Sequence, residues 1–267
     1  MYKLIAIDLD DTLLNDEGYV SEENKAAIRR ASKAGVKVVI VSGRTYASTK
    51  QYIRELAMPD LTVSLNGAYI QDPADDRLVA GFPVDMGIAG QILKDIEPFQ
   101  VHVNFYSGER VFCQGVSEEA VWYGRFNRIE IDYVDSLAEL SKTVPAGKLL
   151  MKADREKLEP IKELLEKKYG DRLNIVFSKP YFLEATDKEA SKGASLLKVA
   201  EMYAINPSEV IAIGDGENDL SMIGNAGLGI AVANAKDNIK EAAGFVTLSN
   251  NESGVAYAIN KFIFNEG

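Results

Sequence analysis

Short apolar runs, each stopped by a small polar or acidic residue, punctuate the first part of the chain. The first lies within residues 3–14, KLIAIDLDDTLL; it stops at Asp8, and a second carboxylate follows at Asp10. A short apolar run bounded by polar residues predicts a buried strand, and in open parallel α/β sheets ligands lie beyond the carboxyl ends of the strands. That places Asp8 at a candidate site. Asp8, Asp10 and Asp11 also suit an ordinary polar turn, because Asp readily bonds nearby backbone.

Downstream, Ser21 is the expected N-cap of a helix with Glu22 and Glu23 in its first turn, where acids suit the helix dipole. Ala26, Ala27, Ile28, Ala31 and Ala34 give that helix an apolar side, and Gly35 stands where a left-handed C-terminal cap belongs. The β-branched run VKVVIV, 36–41, predicts a second strand ending in Ser42-Gly43-Arg44. Residues 45–57 read as a helix closed by Pro59, and 61–65 as a third strand ending at Asn66-Gly67. Strand, helix, strand, helix, strand argues for a parallel sheet with crossover helices.

The rhythm changes near residue 68. A hairpin is expected from 68–71 and 78–84 across DPADD, then a helix over 85–97 with Ile88, Ile92, Leu93 and Ile96 inward. QVHVNFY and RVFC, separated by Ser107-Gly108-Glu109, give a short-loop hairpin signal. A helix at 117–127, a strand at 131–134, a short helix at 136–142 and a strand at 148–152 follow. Asp154 can cap a helix running to Tyr169 and Gly170, although Pro160 speaks against its first turn. RLNIVFS and FLEA complete an inserted α+β domain over 85–187, leaving 1–84 and 188–267 as the core. Strict alternation returns with a helix from Ser191-Lys192-Gly193 to about residue 203. A strand at 210–214 ends in Asp215, and a helix at 217–223, the strand GIAV, a helix near 236–242, the strand FVT and a helix near 253–264 close the chain.

Composition narrows the chemistry. With 267 residues, 46% hydrophobic and 26% charged, the chain is an ordinary globular one rather than a disordered or fibrous one. A formal net charge of -10 disfavours nonspecific nucleic-acid binding, which needs clustered Lys and Arg. An anionic small molecule would need a local cation or a metal. The lone Cys113 permits no internal disulfide and no structural zinc, which fits a reducing, cytoplasmic setting. The apolar run after Met1-Tyr2-Lys3 is too short for a signal peptide, and no stretch approaches membrane-spanning length, so neither a membrane partner nor a membrane ion pump is expected. The sequon Asn251-Glu252-Ser253 then reads as coincidence. His102, the one histidine, makes Ser-His-Asp and Cys-His mechanisms improbable and reads as a packing or surface residue. Cys113 reads as a small hydrophobe, and Trp122, Tyr123 and Phe126 as core of the insertion.

Three separate strands thus end at Asp8 with Asp10, at Ser42, and at Asp215 within GDGENDLSM, and a Lys-Gly pair opens a helix. Singly, each has a structural reading: a turn at Ser42-Gly43, a surface lysine at Lys192, an Asx turn at Asp215. Together, with Asn218 and Asp219 on the turn after Asp215, they favour a shared site. Arg44 could touch a substrate or pair with an acid.

DLDDTLL, VSGR, SKG and GDGENDLSMI, in this order and spacing, resemble the four motifs of the haloacid dehalogenase-like phosphatases, across essentially the whole chain. The size and the inserted block resemble the Cof-type branch with a large α/β cap, and SKPYFLEATDKEASKG is similar to bacterial sugar-phosphatase members. The resemblance implies an α/β fold: a Rossmann-like, doubly wound core with an inserted α+β cap that covers the site and selects substrate. It also implies Mg²⁺-dependent phosphoryl transfer from small phosphomonoesters, sugar phosphates first. Asp8 matches the nucleophile and Asp10 the acid/base residue. The Asp8 side chain, the Asp10 backbone carbonyl and Asp215 match the metal ligands, with Asp219 and Asn218 in support. Ser42, Gly43, Lys192 and Asn218 match the substrate-binding positions. Asp11 departs from the pattern, because glycine is commoner there. A carboxylate nucleophile divides one hard displacement into two easier ones, and hard oxygen ligands suit Mg²⁺. A phosphotransferase or phosphomutase, and a catalytically idle sugar-phosphate sensor, are the competing expectations.

Overall fold

The computed structural model describes residues 1–127 and 129–266, and the side chains of all of these except 126 and 127. The chain opens with β1 (Leu4–Ile7), a turn over Leu9–Leu13, α1 (Glu22–Lys33), β2 (Lys37–Ile40), α2 (Tyr46–Leu56), β3 (Thr62–Ser64), β4 (Tyr69–Asp72) and β5 (Arg77–Gly81). Ser21 caps α1, its hydroxyl accepting from Asn24 N, and Gly35 takes the left-handed conformation just past the helix end at φ +87°.

An insertion follows: α3 (Met86–Ile96), β6 (His102–Ser107), β7 (Arg110–Gln114), α4 (Glu118–Asn127), β8 (Ile131–Val134), α5 (Leu137–Leu140), β9 (Lys148–Lys152), α6 (Arg155–Tyr169), β10 (Leu173–Lys179) and β11 (Phe182–Asp187). Alternation then resumes through α7 (Lys192–Met202), β12 (Val210–Gly214), α8 (Leu220–Asn225), β13 (Leu228–Ala231), α9 (Asp237–Ala242), β14 (Phe245–Val246) and α10 (Gly254–Ile263).

Two compact units result, residues 1–80 with 192–267, and residues 81–191. Each junction falls four residues from the sequence expectation of 85–187, and backbone pairing explains why. Val84 N donates to Ala146 O at 2.7 Å, while Lys188 O accepts from Asn174 Nδ2 and Ala190 O from Thr186 Oγ1, which ties both junction segments into the insertion.

In the first unit the strand order is β14-β13-β12-β1-β2, every pair parallel. Ile5, Ile7, Ile211 and Ile213 pack with Ile28 of α1 and Ile259 of α10, while Leu4, Ala6 and Ala212, which alternate to the opposite side, are equally buried. Strands buried on both faces require helices on both, the doubly wound arrangement. β3 differs from expectation. It pairs antiparallel with β4 and meets the parallel sheet through one bridge, Val41 to Val63. Leu65 and Asn66, at φ 48° and 56°, turn the chain back into the hairpin instead of onward along the sheet.

The inserted unit has the strand order β10-β11-β9-β6-β7-β8, antiparallel except for β7 with β8. Phe105, Leu149, Met151 and Leu183 face Ile88 and Ile92 of α3 and Leu158, Ile161 and Leu165 of α6. Pro160 lies on the exposed side of α6 without ending it, so the missing N–H costs one helical bond while Leu158, Ile161, Leu165 and Tyr169 keep the helix buried along its other side. The Asp154 side chain makes no cap bond. His102 Nε2 and the Cys113 thiol both meet Asn104 Oδ1 at 2.9 Å, and burial pushes the Cys113 thiol up to about 12, which leaves it unreactive. Tyr123 is buried, but Trp122 is 40% exposed and so is not a core residue; the Phe126 side chain lies outside those described. Among the described residues no helix is long and apolar enough to cross a membrane.

Candidate active site

The parallel register sets the site. Ile7 pairs with Ile213 on one side and Ile40 on the other, so the residues just past β1, β12 and β2 emerge together at the carboxyl end of the sheet. Asp8 N still donates to Ile213 O at 3.0 Å, which anchors the Asp8 backbone at the strand end. The following turn closes with Leu14 N donating to Leu9 O, and Asp11 adopts φ 59°, ψ 7° within it. That left-handed conformation is one that Asp tolerates better than most residues.

Lys192, the first residue of α7, is 1% exposed, and its ammonium donates to Asp8 Oδ1 at 2.5 Å and to Asp219 Oδ1 at 2.6 Å. Close packing of α7 on α8 brings it there. A Cβ on Gly193 would lie 2.4 Å from Ser221 O, so only glycine allows the approach, and Gly193 N donates to Ser221 Oγ at 3.0 Å. Asp219 is fixed at its other oxygen as well, since Oδ2 accepts from the backbone N–H groups of Asp215 and Gly216.

Asp8, Asp215 and Asp219 form, among the described residues, the acidic group able to hold a metal ion, with one oxygen from each within 4.8 Å of the others. Burial pushes Asp8 well above the ordinary carboxylate range; Lys192 opposes this, and Asp219, Asp215 and Asp10 add to it. Burial, with Asp219 next to it, pushes Asp215 up to about 7. For Lys192, burial works against the charge, but the Asp219 and Asp8 carboxylates outweigh it and hold the ammonium charged. One lysine does not neutralise three clustered acids, and a hard divalent cation would complete the balance with the oxygen donors it prefers.

The remaining expected residues take distinct places. The Asp10 carboxylate does not join the cluster; both its oxygens accept from Arg44, from Nη2 at 2.6 Å and Nε at 2.9 Å, so Arg44 pairs with an acid. Ser42 is fully buried and its hydroxyl accepts from Arg44 N at 3.1 Å. A Cβ on Gly43 would lie 3.0 Å from Asn66 Oδ1, and that same oxygen accepts from Asn218 Nδ2 at 3.1 Å.

Two residues escaped the sequence reading. Thr12 donates its hydroxyl to Asp215 Oδ1 at 2.8 Å, joining the turn after β1 to the end of β12. Its position in the same polar turn as Asp8 and Asp10 was the available signal. Asn66 lies in the turn two residues past the end of β3, and the strand-end argument, extended to that strand, comes within a residue of it.

A family model described as haloacid dehalogenase-like hydrolase matches residues 5–259. The phosphatase YwpJ of Bacillus subtilis is 32% identical over 289 residues, covering 98% of this chain and 100% of its own. The 5-amino-6-(5-phospho-D-ribitylamino)uracil phosphatase YwtE of the same organism is 31% identical, covering 98% of each. A solved haloacid dehalogenase-like hydrolase from B. subtilis superposes with a TM-score of 0.90 at 30% identity, over 97% of this chain and 99% of that one.

Proposed function

The chain belongs to the haloacid dehalogenase-like hydrolases, and from that premise we propose that it is a Mg²⁺-dependent phosphatase of small phosphomonoesters, sugar phosphates first, working through an aspartyl-phosphate on Asp8. The observation that carries this reading is the buried group of Asp8, Asp215 and Asp219 around the Lys192 ammonium, at the carboxyl ends of parallel strands.

In the first step an Asp8 oxygen attacks phosphorus, the ester P–O bond breaks, and Asp10 gives a proton to the departing alkoxide. In the second, water attacks phosphorus, Asp10 takes its proton, and the Asp8–phosphoryl bond breaks to release phosphate and restore the carboxylate. Proton transfer of this kind contributes roughly 10²- to 10⁴-fold. Lys192 orients Asp8 and, with Ser42, Gly43 and Asn218, holds the nonbridging oxygens on which charge is spread in the transition state. The Asp8 and Asp215 carboxylates and the Asp10 backbone carbonyl would hold Mg²⁺, whose charge offsets that of the phosphoryl group. Asp219 positions Lys192 and the 215–216 backbone.

Two features support the substrate class and setting. The relative named for a 5-phospho-D-ribitylamino substrate supports a phosphate on a sugar-derived chain. A lone buried thiol supports a reducing, cytoplasmic location.

The test is phosphate release from p-nitrophenyl phosphate and from a panel of sugar phosphates. Turnover is expected with Mg²⁺, to vanish with EDTA, and to vanish in Asp8→Asn. Wild-type turnover in Asp8→Asn would overturn the mechanism. An isomerised ester without free phosphate would identify a mutase, and binding without turnover a sensor.

A further inference from the structure

We propose that Arg44 is the positioning residue of Asp10: its guanidinium fixes the plane and direction of the carboxylate that moves the proton. This rests on the reading of Asp10 as the acid/base group.

Both Asp10 oxygens are gripped, at 2.6 and 2.9 Å, by adjacent nitrogens of one fork. A bidentate fork defines the orientation of a carboxylate, which a single hydrogen bond does not. Asp10 needs that help, because its side chain is 40% exposed on a turn, directly before the left-handed Asp11. Arg44 is equipped to give it. Its backbone is held at both ends, with N donating to Ser42 Oγ at 3.1 Å and O accepting from Leu65 N at 2.9 Å. Its guanidinium also lies 5.7 Å from the Tyr52 ring centroid. The loop after β2 therefore serves as a fixed mount for a group carried by the turn after β1. Proton transfer requires the acid within hydrogen-bond reach of its partner, and misplacement by a fraction of a side-chain rotation is costly.

The arrangement predicts a kinetic signature. An anchor that acts only through Asp10 changes turnover and leaves substrate affinity alone, and it has nothing to act on once Asp10 cannot transfer a proton. Steady-state kinetics on glucose 6-phosphate would be measured for Arg44→Gln, Arg44→Lys, Asp10→Asn and the double variant Arg44→Gln/Asp10→Asn, with thermal melts as a check on folding. Arg44→Gln is expected to lower kcat by roughly 10- to 100-fold with KM changed by less than about twofold. Arg44→Lys, which keeps the charge but not the fork, should recover part of the loss. The double variant should be no slower than Asp10→Asn alone. If Arg44→Gln does not fold, Arg44→Lys carries the same kcat-against-KM comparison. A raised KM at unchanged kcat would make Arg44 a substrate contact, and multiplicative losses in the double variant would make it independent of Asp10; either overturns the proposal. Full turnover in Asp10→Asn would instead remove the acid/base reading beneath it, whatever Arg44 does.

Discussion

Lys192 Nζ stands 2.5 Å from Asp8 Oδ1, with both side chains almost wholly out of solvent. A pair this buried is costly to break from one side, because the partner is left as an uncompensated charge. Lys192→Met leaves Asp8 and Asp219 facing each other, and urea unfolding of the metal-free protein near neutral pH should show a loss of about 3–5 kcal/mol. The loss should shrink in acid, where the stranded carboxylates can take up protons. A loss that stays the same in acid would mean that the ammonium is not what balances them.

A metal ion held by Asp8, Asp215 and Asp219 would compete with protons for the same oxygens. Asp215, ordinarily near 3.8, is pushed up to about 7 by burial and by Asp219. The folded protein therefore holds this proton more tightly than the unfolded chain, and that contribution to stability is complete below the ordinary value and lost as pH rises through about 7. The metal-free protein should melt at progressively lower temperature across that interval, apart from titrations elsewhere. Added Mg²⁺ should raise the melting temperature more at the alkaline end than at the acid end, since binding there displaces no proton. Thermal scans with EDTA and with Mg²⁺ at several pH values check both statements. Equal Mg²⁺ stabilisation at every pH would show that the cluster is not the binding site.

Gly214, the last residue of β12, is held to glycine by contact rather than by its dihedrals. An added Cβ would lie 2.6 Å from both Cβ and Cγ of Asp219, a side chain that is itself pinned at both oxygens. Gly214→Ala is expected to cost about 1–3 kcal/mol, as overpacking does, and to weaken Mg²⁺ binding because Asp219 and Lys192 must shift together. Calorimetric titration with Mg²⁺ alongside urea unfolding would register both effects; unchanged metal affinity would count against the linkage.

Asp11 occupies a position where the family pattern favours glycine, and the structure shows why it is tolerated. At φ 59° its backbone is left-handed, and its carbonyl accepts from Asn234 Nδ2 at 2.7 Å. Asp11→Gly should stay within about 1 kcal/mol of the parent, because relief of the left-handed backbone offsets the extra freedom of the unfolded chain. Asp11→Ala should be less stable by roughly 1–2 kcal/mol. Chemical denaturation of the two variants separates backbone tolerance from any effect of the lost charge.

The order of strands and helices was legible because three strands of the parallel sheet, β1, β2 and β12, are short apolar runs with a polar stop, at Asp8, Ser42 and Asp215. The helix start at Ser21 was legible for a similar reason, since its hydroxyl accepts from the backbone three residues on; the cap at Thr45, made the same way, was not singled out. The partner of β3 was not legible, because strand pairing depends on where the chain turns, and the turn at Leu65 and Asn66 uses a conformation that Leu rarely adopts. Thr12 and Arg44 show the limit for the site itself. Their residue types were visible, but the hydroxyl's choice of Asp215 and the guanidinium's choice of Asp10 arise only when strands distant in sequence lie side by side. Tyr123 and Trp122 make the same point for the insertion, where adjacent residues on one helix meet different fates, one buried and one 40% exposed.

The pairing of β1 with β12, Leu4 beside Val210, also sets a timetable. Asp8 is made long before Lys192, Asp215 and the adjoining strand β12, all of which come 184 residues or more later in the chain. During synthesis Asp8 must wait, and nascent chains that have not yet reached β12 carry it without Asp215 and Asp219. The centre is thus completed late, and a truncated product would carry no half-built phosphatase activity into the cell.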